Sequence, residues 1–199
     1  MPLPTHIELT QCSTGTKELG LIETLNREVA KQEIDAVWWS NLEGVLRDPK
    51  DEPDHHWKWR DIVSTYQNKP YFQSKCVRSR DGRVQAAVVF QVDARSALKQ
   101  GERAVFVDRL ATAPRNRAGL VGTPDFRGGG TGLLLYAIAL SYSLGFSGRV
   151  NLIPVANEHF YRERDFLRTD AVIGDDVVFE ISATEALNLL KQRGLIDDR

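Results

Sequence analysis

The chain has 199 residues, 42% of them hydrophobic and 27% charged, with a net charge of −1, a balance that fits a globular protein able to bury a core and excludes a disordered one. Near-neutral charge gives no global attraction to a polyanion or an anionic membrane, and two cysteines, Cys12 and Cys76, exclude a disulfide framework and lack metal-site spacing. "MPLPTHIELTQC" lacks the basic and apolar regions of a signal peptide, and no apolar run reaches the ~18 residues of a membrane span; a cytoplasmic protein with no membrane partner is expected.

Along the first third, Leu19, Ile22, Leu25 and Val29 recur at helical spacing, so a helix is expected from Lys17 to about Gln32. A second helical stretch, "DAVWWSNLEGVL", precedes the polar, Pro-bearing loop "RDPKDEPD". Asp54 is expected to cap a third helix running through "HHWKWRDIVSTYQ". "YFQSKCVRSRDGRVQAAVVFQVD" then has the form of a hairpin turning at Asp81-Gly82, and "AVFVDRLAT" is a further strand. After the loop "APRNRAGLVGTPDF" come the glycine run, an apolar helix to about Leu144, the strand "GRVNLIPV", a short helix "NEHFYRERDF", the strand "DDVVFEIS" and a final helix "ATEALNLLKQRG". The expected class is α+β: a mainly antiparallel mixed sheet flanked by helices, after an N-terminal helical extension. A single domain over 1–199 is expected, with 1–68 mostly helical, a core over 71–182 and a C-terminal helix over 183–199.

"DFRGGGTGLLLYAIALS" sets Arg127 and glycines against a buried helix. Helix N-termini present unpaired N–H groups and a positive dipole end, and glycines admit a phosphate close to the backbone. A flexible Gly-rich loop is the competing reading, weakened here because the glycines abut an apolar helix. A nucleotide P-loop fails, because Leu133 and Leu134 follow Gly132 where Lys and Ser or Thr are needed. A dinucleotide G-x-G-x-x-G fails too, because Leu133 or Leu135 stands at the last Gly and no strand directly precedes the run.

Arg127, Gly130 and Gly132 do fit R-x-x-G-x-G. Here the sequence resembles the GNAT superfamily of acyl-CoA-dependent N-acyltransferases. The order of strand "AVFVDRLAT", glycine run, helix "LLLYAIALS", strand and "FY" pair in "NLIPVANEHFYRERDF" is shared with that family over residues 71–182, and "LATAPRNR" is similar to one bacterial branch. Departures are a long loop from Thr112 to Arg127, Asp165 where Gly is common, and Pro154 where Asn often stands. The resemblance implies acetyl-CoA as co-substrate, its pyrophosphate on Arg127, Gly128, Gly129, Gly130, Thr131 and Gly132, and its pantetheine along the backbone of Leu110, Ala111 and Thr112. It implies Tyr161 as general acid for the sulfur, against a reading of Tyr161 as a packed ring with a surface hydroxyl.

Strand alternation puts Asp108 on the face of Leu110 and Thr112, as a base acting through water or, equally, as an ion-pair partner of Arg109 or Arg117. The expected activity is acetyl transfer to a primary amine, small molecule or protein; the alternative is a non-catalytic acyl-CoA-binding or partner-binding module. A homodimer is in keeping with the family. Nucleic acid is not an expected partner, although an acetyltransferase acting on aminoacyl-tRNA would draw on Arg115, Arg117, Lys58 and Arg60. Trp38, Trp39, Trp57 and Trp59 could stack on bases, with core packing the default and one of Trp57 and Trp59 facing the acceptor. "DEPDHH" lacks further metal-ligand spacing, and no nucleophile elbow or Cys–His pair occurs.

Overall fold

The computed structural model describes residues 1–40, 42–155 and 157–196. Among these residues nine strands and five α-helices follow one another as β1 (His6–Gln11), β2 (Lys17–Thr24), α1 (Arg27–Val29), α2 (Trp59–Tyr66), β3 (Phe72–Arg78), β4 (Val84–Arg95), β5 (Arg103–Thr112), β6 (Phe126–Arg127), α3 (Gly129–Ser143), β7 (Val150–Leu152), α4 (Glu158–Arg162), β8 (Phe166–Ile173), β9 (Asp176–Ile181) and α5 (Ala183–Gln192), and α1 continues into a π-helical turn over Ala30–Asp35. The strands hydrogen-bond in the order β6-β1-β2-β3-β4-β5-β7-β9-β8. β1·β2, β1·β6, β2·β3, β7·β9 and β8·β9 are antiparallel, whereas β5·β7 is parallel. This is the mixed, mainly antiparallel sheet that the sequence leads one to expect.

The chain forms two compact units, one of Pro4–Val89 and Arg109–Leu133, the other of Met1–Leu3, Phe90–Asp108 and Leu134–Arg199. In the first, Leu25, Ala30, Ile34, Trp38, Trp59 and Val63 pack with Cys76, Val84, Ala87, Val89, Ala111 and Ala113 into one apolar cluster. Trp38 is buried and its indole N–H donates to the Val84 carbonyl at 3.2 Å, so two of the four tryptophans, Trp38 and Trp59, are core residues. In the second, Val105, Val150, Leu152, Phe166, Phe179 and Ile181 are buried along the strands. The fully buried Glu180 carboxylate accepts from Ser96 Oγ and from the Leu98 N–H at 3.3 Å, with Arg149 at 3.5 Å, which satisfies a charge that burial would otherwise destabilise.

Residues 1–68 are not mostly helical: the first half of the expected helix over Lys17–Gln32, Lys17–Thr24, is strand, and only Arg27 onward is helical. Leu19, which the helical pattern turns inward, is 65% exposed, and β2 instead pairs on both sides, with β1 and β3. A helix through Gly20 forgoes about 1 kcal/mol, while strand pairing supplies partners for the backbone on both edges. β1, whose Ile7 and Leu9 alternate inward, is likewise not read from the sequence. The helix starts only at Asn26, whose side chain accepts from the N–H groups of Glu28 (3.0 Å) and Val29 (2.9 Å).

The third helix starts later than expected and is capped by a different residue. Asp35, 24 positions upstream, accepts from the N–H groups of Trp59 (2.7 Å) and Arg60 (3.0 Å), while Asp54 is consumed by Arg117. The 79–83 turn closes through the Gly82 N–H to the Ser79 carbonyl at 2.9 Å, as the Asp-Gly pair implies. β8 has no counterpart in the sequence-based expectation, because its buried residues do not alternate: Thr169 bonds the Val178 carbonyl inside an irregularity between Arg168 and Val172.

Candidate active site: a helix mouth and a strand ledge

A two-residue strand, β6, leads into the glycine run, contrary to the expectation that no strand directly precedes it. It pairs Thr10 with Arg127 and Gln11 with Phe126, which fixes the exposed Arg127 at the start of α3. The first intrahelical bond runs from the Gly132 N–H to the Gly128 carbonyl at 2.8 Å. The N–H groups of Gly129 and Gly130, both buried residues, therefore lie ahead of it, without an intrahelical acceptor, in the first turn of a 15-residue helix. Every residue from Leu133 to Leu140 is buried, so the body of α3 is held by packing and only its mouth can serve a ligand.

The glycines themselves meet a second demand. Gly128 has φ +104°, and a Cβ there would stand 2.6 Å from the Glu8 carbonyl oxygen. At Gly129 it would meet Ala86 Cβ at 3.1 Å, and at Gly132 it would overlap Ile7, with Cβ at 2.8 Å and Cγ2 at 2.9 Å. Three glycines of the run are thus required for α3 to approach β1 and β4, whether or not an anion sits on the mouth.

Beside this mouth, β5 ends in the stretch Leu110–Ala111–Thr112. Leu110 and Thr112 are half-buried and Ala111 is buried. The Thr112 carbonyl accepts from Arg117 Nη2 at 2.7 Å and Nε at 3.1 Å. Arg117 Nη1 also donates to Glu52 Oε2 at 2.8 Å, and the guanidinium grips both oxygens of Asp54 at 2.6 Å. Arg115 Nη2 donates to the Val84 carbonyl at 2.8 Å, and Asn116 Nδ2 to Gln85 Oε1 at 2.9 Å. Arg115 and Arg117 are therefore built into the loop, with 15% and 16% of their side chains exposed, and neither is turned outward as a basic channel needs.

Trp39 and Trp57 are half-buried on this same unit. The Arg109 guanidinium lies over Trp57 at 5.2 Å, Arg117 lies over Trp39 at 5.2 Å, and the His55 ring meets Trp39 edge-on at 4.8 Å. The stacked Trp57–Arg109 pair was not legible in advance, because its members are 52 positions apart in sequence. Among the described residues no group of three or more His, Cys, Asp and Glu side chains is placed to hold a metal, and no helix is long and apolar enough to cross a membrane.

Tyr161 and Asp108 belong to the other unit. The Tyr161 ring packs edge-on against Phe160 (5.1 Å) and Phe166 (6.0 Å), and burial pushes its phenol up to about 12, against a small opposing pull from Arg164. Arg164 itself stacks over Phe160 at 3.8 Å. Asp165, at the position where the resemblance leads one to expect Gly, has φ +59°, the left-handed conformation that glycine adopts without strain. Asp108 is half-buried on β5.

No family model matches the chain, and no curated protein sequence matches it. Solved structures do. The AtaT toxin, as a mutant bound to the C-terminus of the antitoxin AtaR, superposes with a TM-score of 0.56 at 14% identity, over 87% of this chain and 98% of that one. The same toxin bound to AtaR and acetyl-CoA gives 0.55 at 14% identity, over 87% and 99%. A spermidine N-acetyltransferase SpeG chimera from Vibrio cholerae and hSSAT gives 0.51 at 11% identity, over 85% and 98%.

The chain has the GNAT acetyltransferase fold. β5 carries the ledge and β6 with α3 the helix mouth, in the chain order strand, glycine run, helix.

Proposed function

We propose that the protein is an acetyltransferase that moves an acetyl group from acetyl-CoA to a primary amine. The observation that carries this reading is the α3 mouth: an exposed Arg127, set by β6 ahead of the Gly129 and Gly130 N–H groups that have no intrahelical acceptor, on a fold shared with a toxin seen bound to acetyl-CoA. The donor set suits a pyrophosphate, since backbone N–H groups, the helix dipole and a guanidinium all favour negative charge at one place.

Acetyl-CoA would supply the activated acyl group as a thioester. Arg127 and the first turn of α3, Gly128 to Gly132, would hold the pyrophosphate, and the backbone of Leu110, Ala111 and Thr112 would pair with the pantetheine amides. A strand N–H on that ledge would polarise the carbonyl. The amine must arrive neutral; its nitrogen forms a C–N bond to the acetyl carbon, the C–S bond breaks, the nitrogen gives up a proton and the sulfur gains one. Asp108 would take the first proton through water. Tyr161, kept protonated by its burial, would donate to the sulfur.

Calorimetric titration with acetyl-CoA and with coenzyme A tests this reading, with Gly130→Val as the variant that crowds the mouth. Micromolar binding by the parent and its loss in a folded variant are expected. A folded parent that binds neither ligand removes the transferase reading. Binding of acetyl-CoA with no acetyl transfer to any amine, and so no release of free coenzyme A, leaves a non-catalytic acyl-CoA module.

A further inference from the structure

This inference rests on acetyl-CoA as the donor, as proposed above, and concerns how the coenzyme's arm is held. β7 pairs with β5 at Val105, Phe106 and Val107, and among the described residues that pairing goes no further. The Leu110–Thr112 ledge therefore lacks the β7 neighbour that steadies the earlier part of the same strand. A backbone that is to meet a ligand in one fixed position must then be held by other donors.

At the end of the ledge those donors come from Arg117. The Ala113 N–H donates to the Gln85 carbonyl of β4 at 2.9 Å, and in a trans peptide the preceding carbonyl points the opposite way, so the Thr112 carbonyl is directed away from β4. Arg117 meets it there with two N–H groups, from Nη2 at 2.7 Å and from Nε at 3.1 Å, which occupy both lone pairs of the oxygen. The remaining N–H groups of the guanidinium go to Glu52 and to both oxygens of Asp54, and its face lies on Trp39 at 5.2 Å. Every donor of Arg117 is thus committed, in the rigid planar fork that only a guanidinium provides. We infer that Arg117 is a positioning residue for the pantetheine arm of acetyl-CoA: it holds the end of the ledge where no strand neighbour does, and it closes the Thr112 carbonyl so that the arm's amide N–H groups cannot donate there.

The test compares, by calorimetry of the full chain, coenzyme A with phosphoadenosine diphosphate, the nucleotide fragment of coenzyme A that keeps the pyrophosphate and lacks the pantetheine arm. The parent should bind coenzyme A at least about ten times more tightly than the fragment. Arg117→Lys keeps a cation beside Asp54 and Glu52 but cannot reach all three acceptors; it should weaken coenzyme A about 10-fold and leave the fragment within about threefold of the parent's affinity. A chain that is merely loosened weakens both ligands together, since the ledge and the glycine mouth belong to one compact unit. Asp54→Asn disturbs the same cluster yet keeps the guanidinium that bonds Thr112, and should hold the ratio of the two affinities within about threefold of the parent's. A parent that binds coenzyme A no more tightly than the fragment, a ratio unmoved by Arg117→Lys, an equal loss of both ligands, or the same collapse of the ratio in Asp54→Asn would each overturn the inference. A folded parent that binds neither ligand instead overturns the transferase reading beneath it.

Discussion

Arg117 donates to the Thr112 carbonyl while gripping both oxygens of Asp54, so one guanidinium ties the end of the β5 ledge to the segment that leads into α2. Burial alone would lower its pKa, yet hydrogen bonds and attraction from Asp54 and Glu52 hold it above the ordinary value. Removing the cation strands the buried Asp54 carboxylate and leaves the buried Glu52 with Arg47 alone. Arg117→Met should therefore cost about 3–5 kcal/mol in urea unfolding, far more than the loss of an exposed pair such as Lys17–Glu8, for which about 0–1 kcal/mol is expected. A loss under 1 kcal/mol would show that the latch is dispensable.

The contact of Gly132 with Ile7 separates packing from binding within the glycine run. Gly132→Ala should destabilise by about 1–3 kcal/mol, because its Cβ overlaps Ile7. Ile7→Ala should cost less in that background than in the parent, with a coupling of about 0.5–3 kcal/mol in a double-mutant cycle. Strict additivity would place the strain elsewhere.

The Tyr161 phenol fixes a pH signature. With its pKa raised by burial to about 12, the donor persists through the range in which an ordinary tyrosine ionises, and kcat should show no falling limb between pH 9 and 10.5. Tyr161→Phe should lower kcat about 100-fold. The linkage has a definite sign: the folded state keeps the proton that an unfolded tyrosine loses near pH 10, so this contribution to stability is intact below pH 10 and is lost as pH rises through 12. A falling limb centred near pH 10 would contradict the buried donor.

Asp35 holds α2 from a distance. Asp35→Ala should destabilise by about 1–2 kcal/mol, and Asp35→Asn, which keeps an acceptor, by less. Equal losses in the two variants, measured by thermal unfolding, would mean that charge and not capping is what α2 requires.

Local chemistry is what the sequence by itself determined. The Asp81-Gly82 turn, the β5 strand, the apolar α3 and its Arg-Gly-Gly-Gly mouth, and α5 all rest on residues within a few positions of one another. The glycine run showed that α3 opens on a bare backbone. Only the tertiary structure decided that three of those glycines also face Glu8, Ala86 and Ile7. It likewise decided that Lys17–Thr24 is a strand, because the hydrogen-bond partners that settle the choice lie in β1 and β3. Asp35 has the capping role expected of Asp54 for the same reason. A carboxylate caps whichever helix, or pairs with whichever guanidinium, the fold brings to it, and here the partners lie 63 and 24 positions away.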